Sequence, residues 1–267
     1  DLQSAEQHYI MDPQSIAGLQ YHCRDTLAQT LPEQGWQEKC WQIWCDMMNS
    51  KARPFPCYFG VQGFRTNQLR YTFMEQIDAG GLAPILRSYL GGAREFGPNT
   101  SLVVFSRPEP TRSIEEYRTR FWSVLQQLHQ CDETAWPDHI PQSLHDPKWE
   151  FCFAGEPIFV VCNTPAHTMR LSRYANSFMM TFQPRWVLDL VFRTKARAQL
   201  ATSTVRKRLH AYDFLTPSPA LGMYGDPESR EFRQYFLEED NETVTRCPFR
   251  SLHTPKDSNA AMKEHAA

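Results

Sequence analysis

The chain has 267 residues, a formal net charge of −2, and 41% hydrophobic against 22% charged residues, which suits one large or two small globular units with chain enough for a core. A balance this near neutral argues against a nucleic-acid surface, which needs a basic face, and no apolar run approaches the roughly 20 residues of a membrane-spanning helix. The eight cysteines form no Cys-x-x-Cys pair; this argues against a zinc ribbon, a thioredoxin-like motif or c-type haem attachment and favours buried free thiols in a reducing, cytoplasmic setting.

The chain begins with Asp1 rather than Met, which leaves room for an upstream targeting segment. Residues 1–30 are polar and weakly patterned and read as an N-terminal extension. From Leu31 a helix is expected, because Trp36, Cys40, Ile43, Trp44 and Met47 recur at helical spacing. Two prolines in "ARPFPCYFG" (Ala52–Gly60) break it, and the segment then reads as a short strand. Gln68–Ile77 fits strand or helix. Gly80–Gly92 is a short helix with Leu82, Ile85, Leu86 and Tyr89 inward, and Ser101–Ser106 is a buried strand. Ser113 and Glu116 form a capping box, each side chain satisfying the other's free backbone N–H. The helix that follows carries an apolar stripe of Tyr117, Phe121, Val124, Leu125 and Leu128. A proline-punctuated loop (Pro137–Pro147) leads to a strand over Ile158–Asn163, a turn bearing His167, and a second strand over Ser177–Trp186. Beyond residue 250 the chain is a polar tail (251–267). Strands and helices interleave without a strict β-α-β period, so the expected fold class is α+β (irregular α/β), one main mixed sheet with surrounding helices.

Chemistry-bearing residues gather in "EPIFVVCNTPAHTMRLSR" (Glu156–Arg173). His167 lies in a loop between two expected strands, where side chains are often presented for function; it reads as an iron ligand or as a histidine that closes a turn. Arg170, Ser172 and Arg173 follow. The guanidiniums suit paired hydrogen bonds to carboxylates, or form a solvated basic turn. Glu150 and Glu156 flank the apolar "FCFAG"; each reads as an anchor for a cationic substrate, a proton-transfer group or half of a salt bridge. Arg185, inside "FQPRW", needs a fixed anion, either a ligand or a protein carboxylate. Dinucleotide, P-loop, zinc-protease and nucleophile-elbow motifs are absent.

The stretch "DPKWEFCFAGEPIFVVCNTPAHTMRLSRYANSFMMTFQPRWV" (Asp146–Val187) resembles the YqcI/YcgG family, also called the GntA family. Arg53–Phe73, Ser113–His129, Ala220–Leu237 and Cys247–Phe249 resemble it too, so the likeness spans residues 31–250. It implies haem b (iron protoporphyrin IX) in a cavity beside the sheet, and hydroxylation of a nitrogen in a small amine, guanidine or amino acid. Under this resemblance His167, as the family's central histidine, is the expected iron ligand. Arg170, Ser172, Arg173 and Arg185 are then expected around the cofactor, with at least one of Arg170 and Arg173 on a propionate. Glu156 and then Glu150 are expected to select the substrate. Cys57, in the family-like "FPC", is the thiolate rival, and His139, His145 and His210 are further histidine candidates.

With the haem that the resemblance implies, O2 or peroxide is the expected oxidant; the sequence shows no reductase domain, so an external reductase is expected where O2 is used, and a homodimer is a further expectation. The competing readings are a haem carrier or sensor without turnover, and a haem enzyme of other outcome such as N–N bond formation or oxime dehydration.

Overall fold

The computed structural model describes residues 21–242 and 249–250. Cys247, the first 20 residues and the tail after Arg250 lie outside the described residues. Within them stand eight α-helices and five strands. In chain order these are α1 (Arg24–Thr30), α2 (Trp36–Asn49), α3 (Tyr58–Arg65), β1 (Arg70–Met74), α4 (Ala79–Gly92), β2 (Leu102–Ser106), α5 (Ile114–Cys131), β3 (Phe151–Phe153), β4 (Glu156–Asn163), β5 (Met179–Pro184), α6 (Arg185–Val191), α7 (Lys195–Tyr212) and α8 (Phe232–Tyr235). The strands make one mixed sheet in the order β1-β2-β5-β4-β3; β1 and β2 run parallel and the other neighbours antiparallel. This is the expected α+β class. None of the described helices is long and apolar enough to cross a membrane.

Strand β2 explains the layering. All five of its residues are buried. Because successive side chains on a strand point to opposite faces, Leu102 and Val104 enter one core while Val103 and Phe105 enter the other. The larger core gathers α4, α5, α8 and most of β3–β5. The smaller one holds Leu27 of α1, Trp41 and Trp44 of α2, and Phe64 of α3 against Tyr71 and Met179. A strand covered on both faces reads as a continuous apolar run, which is how "LVVFS" reads.

Local chemistry fixes the elements. Ser113 accepts from Glu116 N, and Glu116 returns a carboxylate oxygen to Ser113 N, so the expected capping box starts α5. The hairpin β3–β4 turns on Ala154-Gly155, both at positive φ (52° and 78°). That is the handedness a two-residue hairpin needs. Glycine takes it freely, whereas alanine does so at a cost, with its N–H held by Asp132 Oδ2 at 2.8 Å.

Three expectations are corrected. Residues 52–60 are not a strand: Pro54 and Pro56 cannot pair, and Cys57 caps α3, its sulfur accepting from Gly60 N at 3.4 Å. The helix expected from Leu31 begins at Trp36, after a turn in which Gly35 N bonds Pro32 O. Residues 21–30 are not extraneous: Tyr21 packs in the larger core, His22 bridges Tyr71, and Leu27 is fully buried.

Candidate functional site

The central motif leaves β4 at Asn163 and forms a tight loop before β5. Its side chains do not face outward. His167 is fully buried. Its Nε2 lies 2.7 Å from the carbonyl oxygen of Leu237, and its Nδ1 lies 2.8 Å from Thr164 Oγ1. A carbonyl can only accept, so Nε2 carries the proton and Nδ1 accepts from the threonine hydroxyl. Burial drives the imidazole pKa down to about 4; the Leu237 carbonyl opposes this, and the positive charge of Arg173 and Arg170 adds to it. His167 is therefore a neutral imidazole with both nitrogens spent inside the protein.

The cations that follow clamp the same distant segment. Arg170 donates Nε to Glu238 O at 2.9 Å, and Nη2 to Asp240 O and Asn241 Oδ1, each at 2.8 Å. Arg173 donates Nη1 to Tyr235 O and Nη2 to Gln234 O, each at 2.9 Å. In return Glu239 accepts from the backbone N–H of Thr168, Met169 and Arg170 at 2.9, 2.7 and 3.0 Å. Ser172 binds a different element: its N–H and hydroxyl hold Asp213, just past α7, at 2.6 and 2.8 Å. The motif thus straps residues 234–241 across the loop that follows β4.

Arg185 and Glu150, both buried, form a second cluster. Arg185 Nε meets the two Glu150 oxygens at 2.9 and 2.7 Å, and Nη2 meets Oε1 at 2.6 Å; Nη2 also contacts Glu231, equally buried. The Tyr224 ring covers the guanidinium at 4.0 Å. One cation between two carboxylates leaves an excess negative charge. Burial raises the pKa of Glu150, to about 7, and that of Glu231, against the pull of Arg185. The anion of Arg185 is thus a protein carboxylate, the alternative left open by the sequence.

Glu156 is elsewhere. It opens β4, with a partly exposed carboxylate 3.4 Å from Arg94. His167 follows the other end of that strand, roughly 20 Å away at 3.3 Å of rise per residue. The expected grouping of Glu156 with His167 and the arginines is not formed.

Among the described residues, no three His, Cys, Asp or Glu side chains converge as a metal-binding cluster. An open groove of about 620 Å³ beside the start of α5 is lined by Gln76, Ile77, Glu109, Arg112, Thr119 and Arg120, among others, and by none of the expected site residues; Glu109 there is already paired with Arg112 and Arg120.

Cys57 differs from all of these. It is exposed to solvent, yet surrounding protein still pushes its thiol pKa up, against N–H groups of Gly60 and Phe59 and the charge of Arg173 and Arg208. Around it, Phe55 meets Tyr212 edge-on at 5.8 Å, Arg208 lies 5.2 Å over Tyr58, and Arg53 lies 4.5 Å over Tyr212 and 5.9 Å over Phe214. The Arg53–Tyr58 segment therefore lies against the carboxyl end of α7. The sequence signal was present, as Pro-Cys at a helix start, but it was hidden by the strand reading.

The YqcI/YcgG family model matches residues 44–250. The chain is 42% identical over 236 residues to "Uncharacterized protein YcgG" of Bacillus subtilis (strain 168), covering 85% of this chain and 92% of that one. It is 40% identical over 236 residues to "Uncharacterized protein YqcI" of the same organism, with the same coverage. It is 31% identical over 227 residues to the "Putative N(omega)-hydroxy-L-arginine synthase DcsA" of Streptomyces lavendulae, covering 80% of this chain and 84% of that one. No solved structure matches it. With a family model and curated relatives matching along most of its length, the chain belongs to the YqcI/YcgG family.

Proposed function

We propose that the protein is an N-oxygenase that adds one oxygen atom to a guanidine or amine nitrogen of a small amino-acid-like substrate. The observation that carries this reading is the 31% identity, over four-fifths of the chain, to a relative named as an N(omega)-hydroxy-L-arginine synthase. With peroxide, the amine and H2O2 give the hydroxylamine and water. With O2, two electrons and two protons from an external donor are also consumed. Side chains of the common amino acids do not activate O2 or peroxide for such a transfer, so the reading requires a cofactor, and haem is the one the family resemblance implies.

The fit of haem to this chain is uneven. His167 does not fit as an iron ligand: ligation would cost it the Leu237 carbonyl or the Thr164 hydroxyl, and no part of the ring reaches solvent. Arg170 and Arg173 have their donors engaged by backbone carbonyls of residues 234–240. Cys57, the thiolate rival, is not enclosed in this way: it is exposed to solvent, and its sulfur accepts from Gly60 N. Bound haem would supply activated oxygen. The chain's own part would be to hold the iron, exclude water and orient the substrate nitrogen.

The test is incubation of haem-supplied protein with L-arginine, agmatine and simple amines, with peroxide or with O2 and an electron donor, read by mass spectrometry. A product carrying one added oxygen on nitrogen is expected. If haem binds in stoichiometric amount and no nitrogen compound is oxidised with either oxidant, a haem-binding protein without turnover replaces this reading.

A further inference from the structure

We infer that Glu150 and Glu231 hold a single proton between them across Arg185, and that its loss unlatches the loop of residues 221–231 from the sheet. This pH-sensitive latch is a property of the fold and stands apart from the oxidation chemistry.

The triad carries more negative charge than positive. Glu150, Arg185 and Glu231 are all buried, at 0%, 6% and 3% exposure. Both Glu150 oxygens accept from Arg185, and its Nη2 reaches Glu150 Oε1 and Glu231 Oε1 together. Among the described residues no second cation stands within ion-pair distance of either carboxylate. Two carboxylate oxygens that meet on one nitrogen are neighbours, and like charges so placed disfavour joint ionisation. One proton for the pair removes the excess charge, and the two carboxyl groups then titrate as a unit.

The groups packed around the triad bring no positive charge. Asp189, exposed and one turn along α6 from Arg185, adds negative charge to Glu150. Tyr224 of the loop and Tyr235 of α8 are held neutral, pushed up by burial and by the carboxylates. Cys152 of β3 stays a thiol, again chiefly through burial. Gln234 Nε2, a neutral donor, approaches Glu231 Oε2 at 3.4 Å. Burial raises Glu150 to about 7 and Glu231 in the same direction, which sets the loss of the proton near neutrality.

The triad is also what pins the loop. Glu231 is its last residue, and the Tyr224 ring lies 4.0 Å over the Arg185 guanidinium. The remaining ties are few. The Tyr224 hydroxyl donates to Lys148 O at 2.7 Å, Gly225 N–H donates to Pro147 O at 3.2 Å, and Arg206 donates to Leu221 O. The loop contains no helix or strand, and Gly222 and residues 226–228 are exposed. A segment held this lightly opens as a local unit. Opening carries Glu231 into water, where a carboxyl has its ordinary pKa. The closed form therefore binds the proton more tightly than the open form; it is favoured at low pH and weakens as pH rises through about 7.

The test is amide hydrogen exchange of the full chain at about pH 6 and about pH 8.5, corrected for the intrinsic rate at each pH; linkage gives about tenfold faster corrected exchange in residues 221–231 at the higher pH, with β2 unchanged. Glu231→Gln, which removes the excess charge and keeps the size, should be equally protected at both. Nuclear magnetic resonance of isotope-labelled glutamate side chains, assigned with Glu150→Gln and Glu231→Gln, should show a carboxyl of this pair titrating near neutrality. Equal loop protection of wild type at both pH values overturns the latch, as does a tenfold change that persists in Glu231→Gln. Titration of both carboxyls in the ordinary range overturns the shared proton. The wild-type exchange measurement decides the latch even where a variant fails to fold.

Discussion

His167 Nε2 and the carbonyl of Leu237, 70 residues apart in the chain, meet at 2.7 Å in the interior. That one bond changes what the central motif is for. A histidine beside two arginines suggests a site open to a ligand, yet each of the three donates to the segment between Gln234 and Asn241. The motif holds the chain's own C-terminal strap.

The first prediction concerns that bond and pH. His167 is held neutral, with its pKa lowered from 6.5 to about 4, chiefly by burial. The unfolded state therefore takes up this proton first as pH falls, and folding stability drops from pH 6.5 down to about 4. A shift of that size corresponds to on the order of 3 kcal/mol at acid pH. Replacing His167 with Gln should flatten the acid limb of Tm against pH in this window. Replacement with Ala should cost roughly 2–3 kcal/mol at neutral pH, because the Leu237 carbonyl is left buried without its donor. An acid limb identical in wild type and His167→Gln would show that another group sets it.

The strap itself gives the second. Arg170 and Arg173 each use a forked guanidinium to span neighbouring carbonyls, which a lysine ammonium cannot reproduce. Arg170→Lys and Arg173→Lys should speed amide hydrogen exchange in residues 232–242 while the protection of β2 and β5 holds, because the strap opens as a local unit. Uniform loss of protection in all segments would mean that the strap does not open separately.

Glu150, Arg185 and Glu231 form a network whose members are unequal. Removing the cation, as in Arg185→Met, strands two carboxylates in the interior and should cost about 3–5 kcal/mol. Glu231→Gln removes the excess negative charge and should cost less. Glu150 has a folded pKa raised by burial from 4.5 to about 7. Its contribution is thus fully present below 4.5 and is lost as pH rises through 7, opposite in sign to that of His167. Denaturant titrations of Glu150→Gln should show a shallower fall in stability between pH 5 and 8 than wild type.

What the sequence made legible was whatever depended on neighbours. The Ser113–Glu116 box, the inward stripe of α5, the helix through Leu82 and Tyr89 and the double-sided burial of "LVVFS" all follow from residues within one turn or one strand. Long-range partners were not legible. Nothing local in "HTMRLSR" names Leu237 or Glu239 as its counterpart, and nothing in "WEFCF" names Arg185, 35 residues on, as the partner of Glu150. Cys57 failed for a different reason: two prolines and aromatic neighbours imitate a strand, and only the sulfur accepting from Gly60 N shows a helix start. The Thr194 cap of α7, accepting from Arg197 N at 3.2 Å, is likewise local, set within one turn.

The last prediction separates Glu156 from the proposed chemistry. Its carboxylate faces a guanidinium, that of Arg94, which also lies 4.9 Å over the Trp186 ring. A carboxylate and an indole around a guanidinium resemble a substrate site, but the occupant belongs to this chain. Both partners are partly exposed, so the pair contributes at most about 1 kcal/mol. Glu156 also stands at the opposite end of β4 from the loop that carries His167 and the two arginines. A glutamate side chain spans far less than the roughly 20 Å of strand between them. Glu156→Gln should therefore leave haem content and both kcat and KM within twofold of wild type, and shift Tm by no more than a few degrees. A selective rise in KM with kcat unchanged would show that Glu156 binds the substrate; the oxidation site would then lie at the β3–β4 end of the sheet.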